Sequence, residues 1–75
     1  MNRYKNLSGN SGVLEYEYGE DFIRVKFNGS RLIYLYTNTS AGSYNIDQMR
    51  ILAELGKGLS TFISKVKPRF ARKGI

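Results

Sequence analysis

The chain has 75 residues, 41% of them apolar, and a net charge of +6 from 12 lysines and arginines against 6 aspartates and glutamates. This length fits one small domain, and the composition is typical of a folded soluble protein rather than a disordered chain. The sequence contains no cysteine and no histidine, which excludes disulfides, thiolate chemistry and the two commonest ligands of transition metals. We therefore expect no cofactor and no bound metal ion.

The sequence also lacks the signals of a membrane or secreted protein. It has no apolar run near the ~20 residues that a membrane span needs. It does not start with the charged, apolar and small-residue segments of a secretory signal. We therefore expect a cytoplasmic protein.

The positive charge is concentrated in the C-terminal quarter of the chain. Residues 1–56 contain equal numbers of acidic and basic residues, whereas residues 57–75 contain basic residues and no acidic one. Such an asymmetry is typical of a segment that contacts a polyanion, although a tail that only increases solubility is the alternative. The basic residues of this segment are Lys57, Lys65, Lys67, Arg69, Arg72 and Lys73.

Three strands are predicted in the first half of the chain, after a flexible lead-in over residues 1–12. Alternation of apolar and charged residues predicts strands over residues 13–18 and 22–27. The Asn-Gly pair at residues 28–29 predicts a type I′ hairpin turn, in which both residues have positive φ. A third strand over residues 31–37 completes an antiparallel meander.

The alternation divides the side chains of these strands between two faces of the sheet. In the third strand, Leu32, Tyr34 and Tyr36 share one face, and Arg31, Ile33 and Leu35 share the other. In the first strand, Leu14, Tyr16 and Tyr18 share a face. Because both faces of the third strand carry large apolar residues, the sequence does not show which face is covered.

Two helices are predicted in the second half of the chain. Apolar residues at helical spacing predict a first helix that begins at an N-cap, Ser43 or Asn45, and ends at a left-handed C-cap, Gly56. A second helix begins near Leu59 and ends before Pro68, whose ring prevents continuation.

The order of strands and then helices predicts an α+β fold, a three-stranded sheet with two short helices on one face. We expect a loop over residues 38–43, one domain over residues 13–67 and a frayed basic tail over residues 68–75. The helix side chains expected to pack on the sheet are Ile46, Met49, Leu52, Phe62 and Ile63.

Catalysis is not expected. The one cluster of carboxylates lies on the polar side of a strand and in a turn, where solvation explains it, and no nucleophile–base pair is present. The segment Gly56-Lys57-Gly58 lacks the spacing of a P-loop, although free amides beside Lys57 at the start of the second helix offer a place for one phosphate. The clustered carboxylates are Glu15, Glu17, Glu20 and Asp21.

The predicted sheet is rich in tyrosine. Tyr34 and Tyr36 are two residues apart and share a face. Aromatic rings on a sheet stack on the bases of single-stranded nucleic acids, and Arg24, Lys26 and Arg31 on neighbouring strands would contact phosphates. The alternative is that these tyrosines pack in the core.

Several segments, taken in order, resemble the KTSC domain. That family is named for a segment at the C-terminus of some lysyl-tRNA synthetases, and it also occurs as small bacterial and phage proteins. The resemblance covers roughly residues 10–65, and it implies a small domain of unsettled function for which RNA binding has been suggested. The segments are Phe22-Ile-Arg-Val-Lys-Phe27, Gly29, Tyr34-Leu-Tyr36, Ala53, Gly58-Leu59 and Phe62-Ile63.

Three hypotheses follow for the function. The first is binding of RNA or another single-stranded nucleic acid by the paired tyrosines and the basic residues named above. The second is a protein-interaction module, which self-associates or docks on a bacterial or phage protein through Phe22, Ile33 and Leu35 if their sheet face is uncovered. The third is a membrane-surface role for the apolar stripe of residues 59–66, for which packing in the core is the alternative.

Overall fold

A computed structural model describes residues 1–74 of the chain. These residues form an α+β fold, in which a five-stranded antiparallel sheet has its strands in sequence order and three helices lie on one of its faces. The strands are β1 (Asn2–Arg3), β2 (Val13–Tyr18), β3 (Phe22–Phe27), β4 (Ile33–Thr37) and β5 (Arg72–Gly74). The helices are α1 (Asn38–Ala41), α2 (Ser43–Leu55) and α3 (Leu59–Val66).

The meander of β2, β3 and β4 is confirmed, but the turn between β3 and β4 differs from the prediction. Only Gly29 of the Asn-Gly pair has a positive φ, 76°, so the turn is not of type I′. The Ser30 amide donates to the Phe27 carbonyl (3.2 Å), and the Leu32 amide donates to the Ser30 hydroxyl (3.0 Å). Because of these local bonds, residues 31 and 32 belong to the connection. β4 therefore begins two residues later than predicted.

Both edges of the sheet come from segments in which the sequence predicts no strand. β1 pairs with β2, and β5 pairs with β4, so the three-strand prediction is incomplete. Tyr4, directly after β1, is only 3% exposed, and its hydroxyl accepts a hydrogen bond from the Leu59 amide (3.2 Å). The Ala71 amide donates to the Leu35 carbonyl (2.7 Å) and leads the chain into β5. Each segment is held by backbone hydrogen bonds and isolated aromatic contacts. Such contacts require no alternation of hydropathy, and the sequence of neither segment therefore predicts a strand.

The helices cover the sheet face that carries Tyr34 and Tyr36. Leu14 is predicted to share the face of Tyr16, but a register shift between Val13 and Glu15 places Val13, rather than Leu14, in the core with Tyr16. The buried core consists of Tyr4, Val13, Tyr16, Ile23, Val25, Tyr36, Ile46, Met49, Ala53 and Leu59. All five helix residues predicted to pack on the sheet belong to this core or contact it. The opposite sheet face contributes no residue to the core.

The predicted end of the first helix is confirmed. Gly56 has φ 78° and ψ 23°, the left-handed conformation that glycine adopts without strain. The helix begins at Ser43, but its N-cap is Gly42 and no side chain caps it. The Asn45 side chain instead donates to the Ala41 carbonyl (2.8 Å).

The segment predicted as a loop over residues 38–43 contains the one-turn helix α1. Thr37 and Ser40 form a capping box at its start, which fixes four residues that carry no apolar periodicity. The Ser40 hydroxyl also donates to the Arg69 carbonyl (2.8 Å). This bond ties the chain after α3 to α1.

Candidate nucleic-acid interface

A groove lined by aromatic side chains lies between the β3–β4 hairpin and the chain that follows α3. Its volume is about 440 Å³. It is lined by Phe27, Ser30, Tyr34, Tyr36, Ile63, Lys67, Pro68 and Phe70. We call this feature the aromatic groove.

Three rings of the aromatic groove contact one another edge to face. The Tyr34 and Phe70 ring centroids are 5.0 Å apart with an interplanar angle of 89°, and those of Phe27 and Tyr34 are 5.4 Å apart at 85°. Such packing fixes the orientation of the ring planes relative to one another. Tyr34 is half-buried and Phe70 is 43% exposed, so both rings have surface that a ligand can contact.

Two lysine side chains lie close to these rings. Lys73 lies opposite Tyr34 in the β4–β5 pair, and its Nζ is 6.0 Å from the Tyr34 ring centroid and 5.9 Å from that of Phe70. Lys67 lines the groove from the end of α3. Both lysines are exposed, and within residues 1–74 neither forms an ion pair. The rings and the free positive charges therefore occupy one surface.

Tyr36 is part of the core. Its side chain is only 3% exposed, so it has no open ring face on which a base can stack. Burial, with a smaller contribution from Tyr34, raises the pKa of the Tyr36 hydroxyl to about 12. Of the two tyrosines singled out from the sequence, Tyr34 alone offers a ring surface.

Three of the predicted basic contacts lie on the opposite face of the sheet. Arg24 and Lys26 alternate with the core residues of β3, and Arg72 of β5 is paired with Leu35, which lies on that same opposite face. Arg24 pairs with Glu17 (3.3 Å) and lies 5.1 Å from the Phe22 ring centroid. These cations are therefore separated from the aromatic groove by the thickness of the sheet.

The other predicted basic residues come from separate segments of the chain. Lys65 belongs to the last turn of α3, Arg69 follows it, and Arg31 lies in the β3–β4 connection; all three are exposed. Lys57 lies between α2 and α3, at the opposite end of α3 from Lys65. The structure thus brings only Lys67 and Lys73 directly to the rings.

One of the amides that would bind a phosphate beside Lys57 already has a hydrogen-bond partner in the protein. The first amide of α3, that of Leu59, donates to the buried Tyr4 hydroxyl. An anion at this helix end would have to compete with that bond, so the structure does not favour a phosphate there.

The uncovered sheet face carries the residues predicted for it, Phe22, Ile33 and Leu35. All three are half-buried. Ile33 and Leu35 line a depression of about 230 Å³ together with Arg24, Arg72 and Gly74. The apolar patch is therefore small and is flanked by charged residues.

Glu54 on α2 interacts with two tyrosine hydroxyls. It accepts hydrogen bonds from the hydroxyls of Tyr18 (2.9 Å) and Tyr16 (3.4 Å). The bond to Glu54 raises the pKa of Tyr18, whereas burial and then Glu54 raise the pKa of Tyr16. Within residues 1–74 no group of three or more acidic side chains is arranged to hold a metal ion.

The apolar stripe of α3 faces the core. Leu59 is buried, and Phe62 and Ile63 pack against the core cluster, which leaves only Val66 exposed. This stripe therefore packs in the core, which is the alternative to a membrane-surface role. None of the helices in residues 1–74 is both long and apolar enough to cross a bilayer.

Phe70 is the site residue that the sequence analysis missed. It lies in the predicted frayed tail, where no periodicity marks it. The available signal is a single large apolar residue among basic ones, two residues after Pro68. A proline that restricts the backbone close to an isolated phenylalanine favours a docked segment over a free tail.

Comparisons of the chain with protein-family models, with curated proteins and with solved structures found no match in any of the three. The resemblance to the KTSC domain stays a prediction that rests on the segments quoted above.

Proposed function

We propose that this protein is a small non-catalytic domain that binds RNA or another single-stranded nucleic acid through the aromatic groove. The proposal rests on the ring pair of half-buried Tyr34 and exposed Phe70, with the Nζ of Lys73 within 6.0 Å of both ring centroids. Rings for the bases and free cations for the phosphates are the two components that single-strand binding uses.

The rings supply the attraction to bases. A base stacked on an aromatic side chain contributes about 1–3 kcal/mol, whatever its identity. Phe70, at 43% exposure, has the more open ring, and the half-buried ring of Tyr34 contacts it edge to face. Unpaired bases of a single strand can stack on these side chains. The bases of a duplex are stacked on one another, so their faces are not accessible.

The basic residues supply the attraction to phosphates. Lys67 and Lys73 flank the rings, and Arg69 lies between them in the chain. The net charge of +6 adds a long-range attraction that is screened by salt. Nothing in the groove presents paired donors and acceptors to a base edge, so we expect little sequence specificity.

Two further considerations support a binding role. The absence of histidine and cysteine removes the commonest catalytic groups, and Glu17 and Glu54 are engaged by Arg24 and by tyrosine hydroxyls. Membership of the KTSC family, which we propose on the resemblance alone, points to RNA as the ligand.

Fluorescence anisotropy with a labelled mixed-sequence RNA of about 12 nucleotides tests the proposal. With two lysines at phosphates, the logarithm of the affinity should fall with the logarithm of the salt concentration with a slope of about −1.4. The Phe70→Leu variant should bind at least fivefold more weakly, because it loses a stacking surface worth about 1 kcal/mol or more.

The matched control is Phe22→Leu, which changes the same side chain on the opposite sheet face and should bind like the wild type. Absence of binding at about 50 mM salt, or binding that does not change between about 50 and 200 mM, would rule out the proposal. Equal losses in the two variants would show that the aromatic groove is not the site.

A further inference from the structure

α2 is apolar on two opposite sides, although only one of them faces the core. Ile46, Met49 and Ala53 are buried against the sheet. On the outer side, Tyr44, Ile51 and Leu55 are 71%, 59% and 54% exposed. A helix that is apolar on both sides is normally buried on both sides.

The outer apolar residues form one continuous line. Positions 44, 48, 51 and 55 are separated by four, three and four residues, the spacing of a single stripe along a helix. Gln48 is the only polar residue in this line. We call these four residues the α2 stripe.

Leu7 extends the apolar surface beyond the end of the α2 stripe. Its amide donates to the Gly56 carbonyl (2.8 Å), which holds it at the C-terminal end of α2. Its side chain is 64% exposed. Contiguous apolar surface of this kind marks an interaction site in a small protein.

We propose that the α2 stripe is covered by the α2 stripe of a second copy, in a two-fold symmetric dimer with antiparallel α2 helices. Tyr44 and Leu55 are equally far from the centre of the stripe, and so are Gln48 and Ile51. A two-fold axis at that centre sets Tyr44 of each copy against Leu55 of the other. The same axis sets Gln48 against Ile51, so each residue of the stripe meets another residue of the stripe, as in a two-fold interface.

The exposed area matches a weak dimer. Taking roughly 200 Å² for a fully exposed large side chain, Leu7, Tyr44, Ile51 and Leu55 expose about 500 Å² per copy. This is about a tenth of the 4872 Å² surface of the chain, the share that an interface occupies on a small protein. Two copies would bury about 1,000 Å², near the lower limit for a biological interface, so we expect a dissociation constant of about 10 µM or weaker.

Charged side chains of α2 near the stripe form ion pairs or hydrogen bonds within their own copy. Arg50 pairs with Asp47 (3.6 Å), and Glu54 accepts from the Tyr18 hydroxyl (2.9 Å). The remaining electrostatic contribution is repulsion between two copies that each carry +6. Because salt screens this repulsion, the dimer should tighten as the salt concentration rises, whereas nucleic-acid binding weakens.

Sedimentation equilibrium from about 10 µM to 1 mM protein tests the dimer. Ile51→Lys should weaken dimerisation at least tenfold, and Gln48→Leu, which completes the apolar line, should strengthen it at least threefold. Val66→Lys is the matched control, because it adds the same charge at a side chain that is 47% exposed on α3, and it should behave like the wild type. Circular dichroism of each variant verifies that it is folded.

The absence of cysteine allows the orientation to be tested by disulfide formation. A mixture of Tyr44→Cys and Leu55→Cys proteins should form the mixed disulfide in preference to either like pair. A wild-type chain that stays monomeric at all concentrations, or a Gln48→Leu variant that dimerises no better, would overturn the proposal. Preferential like pairs would overturn the antiparallel arrangement. Since the α2 stripe and the aromatic groove share no residue, either proposal can fail without the other.

Discussion

The ammonium group of Lys73 lies 6.0 Å from the ring centroid of Tyr34, directly opposite it across the β4–β5 pair. A cation near a ring face is attracted by the ring's quadrupole. The pairing of β5 with β4 therefore places a positive charge from the C-terminal segment beside an aromatic ring of the sheet. This relationship links the charge asymmetry of the sequence to the tyrosine-bearing sheet.

Replacing Lys73 by glutamine should weaken RNA binding and reduce its salt dependence. Each phosphate neutralised on a single strand contributes about 0.7 to the slope of log affinity against log salt, so the slope should become shallower by about 0.7. Anisotropy titrations at four salt concentrations measure this slope. Arg72→Gln removes the same charge from the other face of β5, and it should leave the slope close to the wild-type value. Identical slopes for Lys73→Gln and the wild type would place the phosphate contact elsewhere.

The Tyr34 ring, rather than its hydroxyl, should carry affinity. Tyr34→Leu should weaken binding by roughly 5- to 150-fold, since a stacked base contributes about 1–3 kcal/mol. Tyr34→Phe keeps the ring and should bind within about twofold of the wild type. Urea unfolding of both variants separates loss of binding from loss of folding. A strong loss of affinity in Tyr34→Phe would show that the hydroxyl matters and that stacking is not the main contribution.

Tyr4 should stabilise the fold although it lies in the segment predicted to be a flexible lead-in. Tyr4→Phe removes the acceptor of the Leu59 amide and leaves a buried donor without a partner, at a cost of about 1–3 kcal/mol in the free energy of unfolding. Urea denaturation measures the change. Tyr44→Phe removes an exposed hydroxyl (71% exposed) and should change stability by less than about 0.5 kcal/mol. Equal stabilities of Tyr4→Phe and the wild type would mean that the N-terminal segment does not hold α3.

Ionisation of Tyr36 should couple to unfolding in alkaline solution. Burial, followed by the effect of Tyr34, raises its pKa from 10.0 to about 12. The unfolded chain loses this proton at lower pH than the folded chain does. The protonated Tyr36 hydroxyl therefore makes its full contribution to the free energy of unfolding below about pH 10, and this contribution is lost as the pH rises to about 12.

Urea unfolding of the wild type and of Tyr36→Phe at a series of pH values measures this coupling. Above about pH 10, the free energy of unfolding should fall more steeply with pH in the wild type than in Tyr36→Phe, because the variant has no hydroxyl to ionise. The two proteins differ only in this hydroxyl, so the difference between their curves reports its ionisation. Parallel curves would show that the Tyr36 hydroxyl is not buried in solution.

The elements with strong local signals were predictable from the sequence. β2 and β3 follow from alternation, and α2 follows from helical spacing closed by Gly56 in the left-handed conformation. β1 and β5 contain two and three residues, too few for any period to appear. Their positions depend on hydrogen bonds to residues far away in the chain, such as that from Ala71 to Leu35.

The candidate site was only partly predictable. The sequence correctly assigns Tyr34 and Tyr36 to one sheet face, but it does not show that the helices cover that face and bury Tyr36. It counts Arg72 and Lys73 as one basic segment, whereas pairing of β5 with β4 sends them to opposite faces. Phe70 joins the site because Ser40 and Leu35 hold the chain on either side of it, a long-range effect without a local pattern.

Chemical-shift mapping of the amide resonances with a mixed-sequence single-stranded RNA is the decisive measurement for the aromatic groove. We expect the largest shifts at residues 27, 34, 67, 70 and 73, with small shifts at Arg24 and Lys26 on the other sheet face. Shifts confined to exposed basic residues, with Tyr34 and Phe70 unchanged, would contradict binding through the aromatic groove.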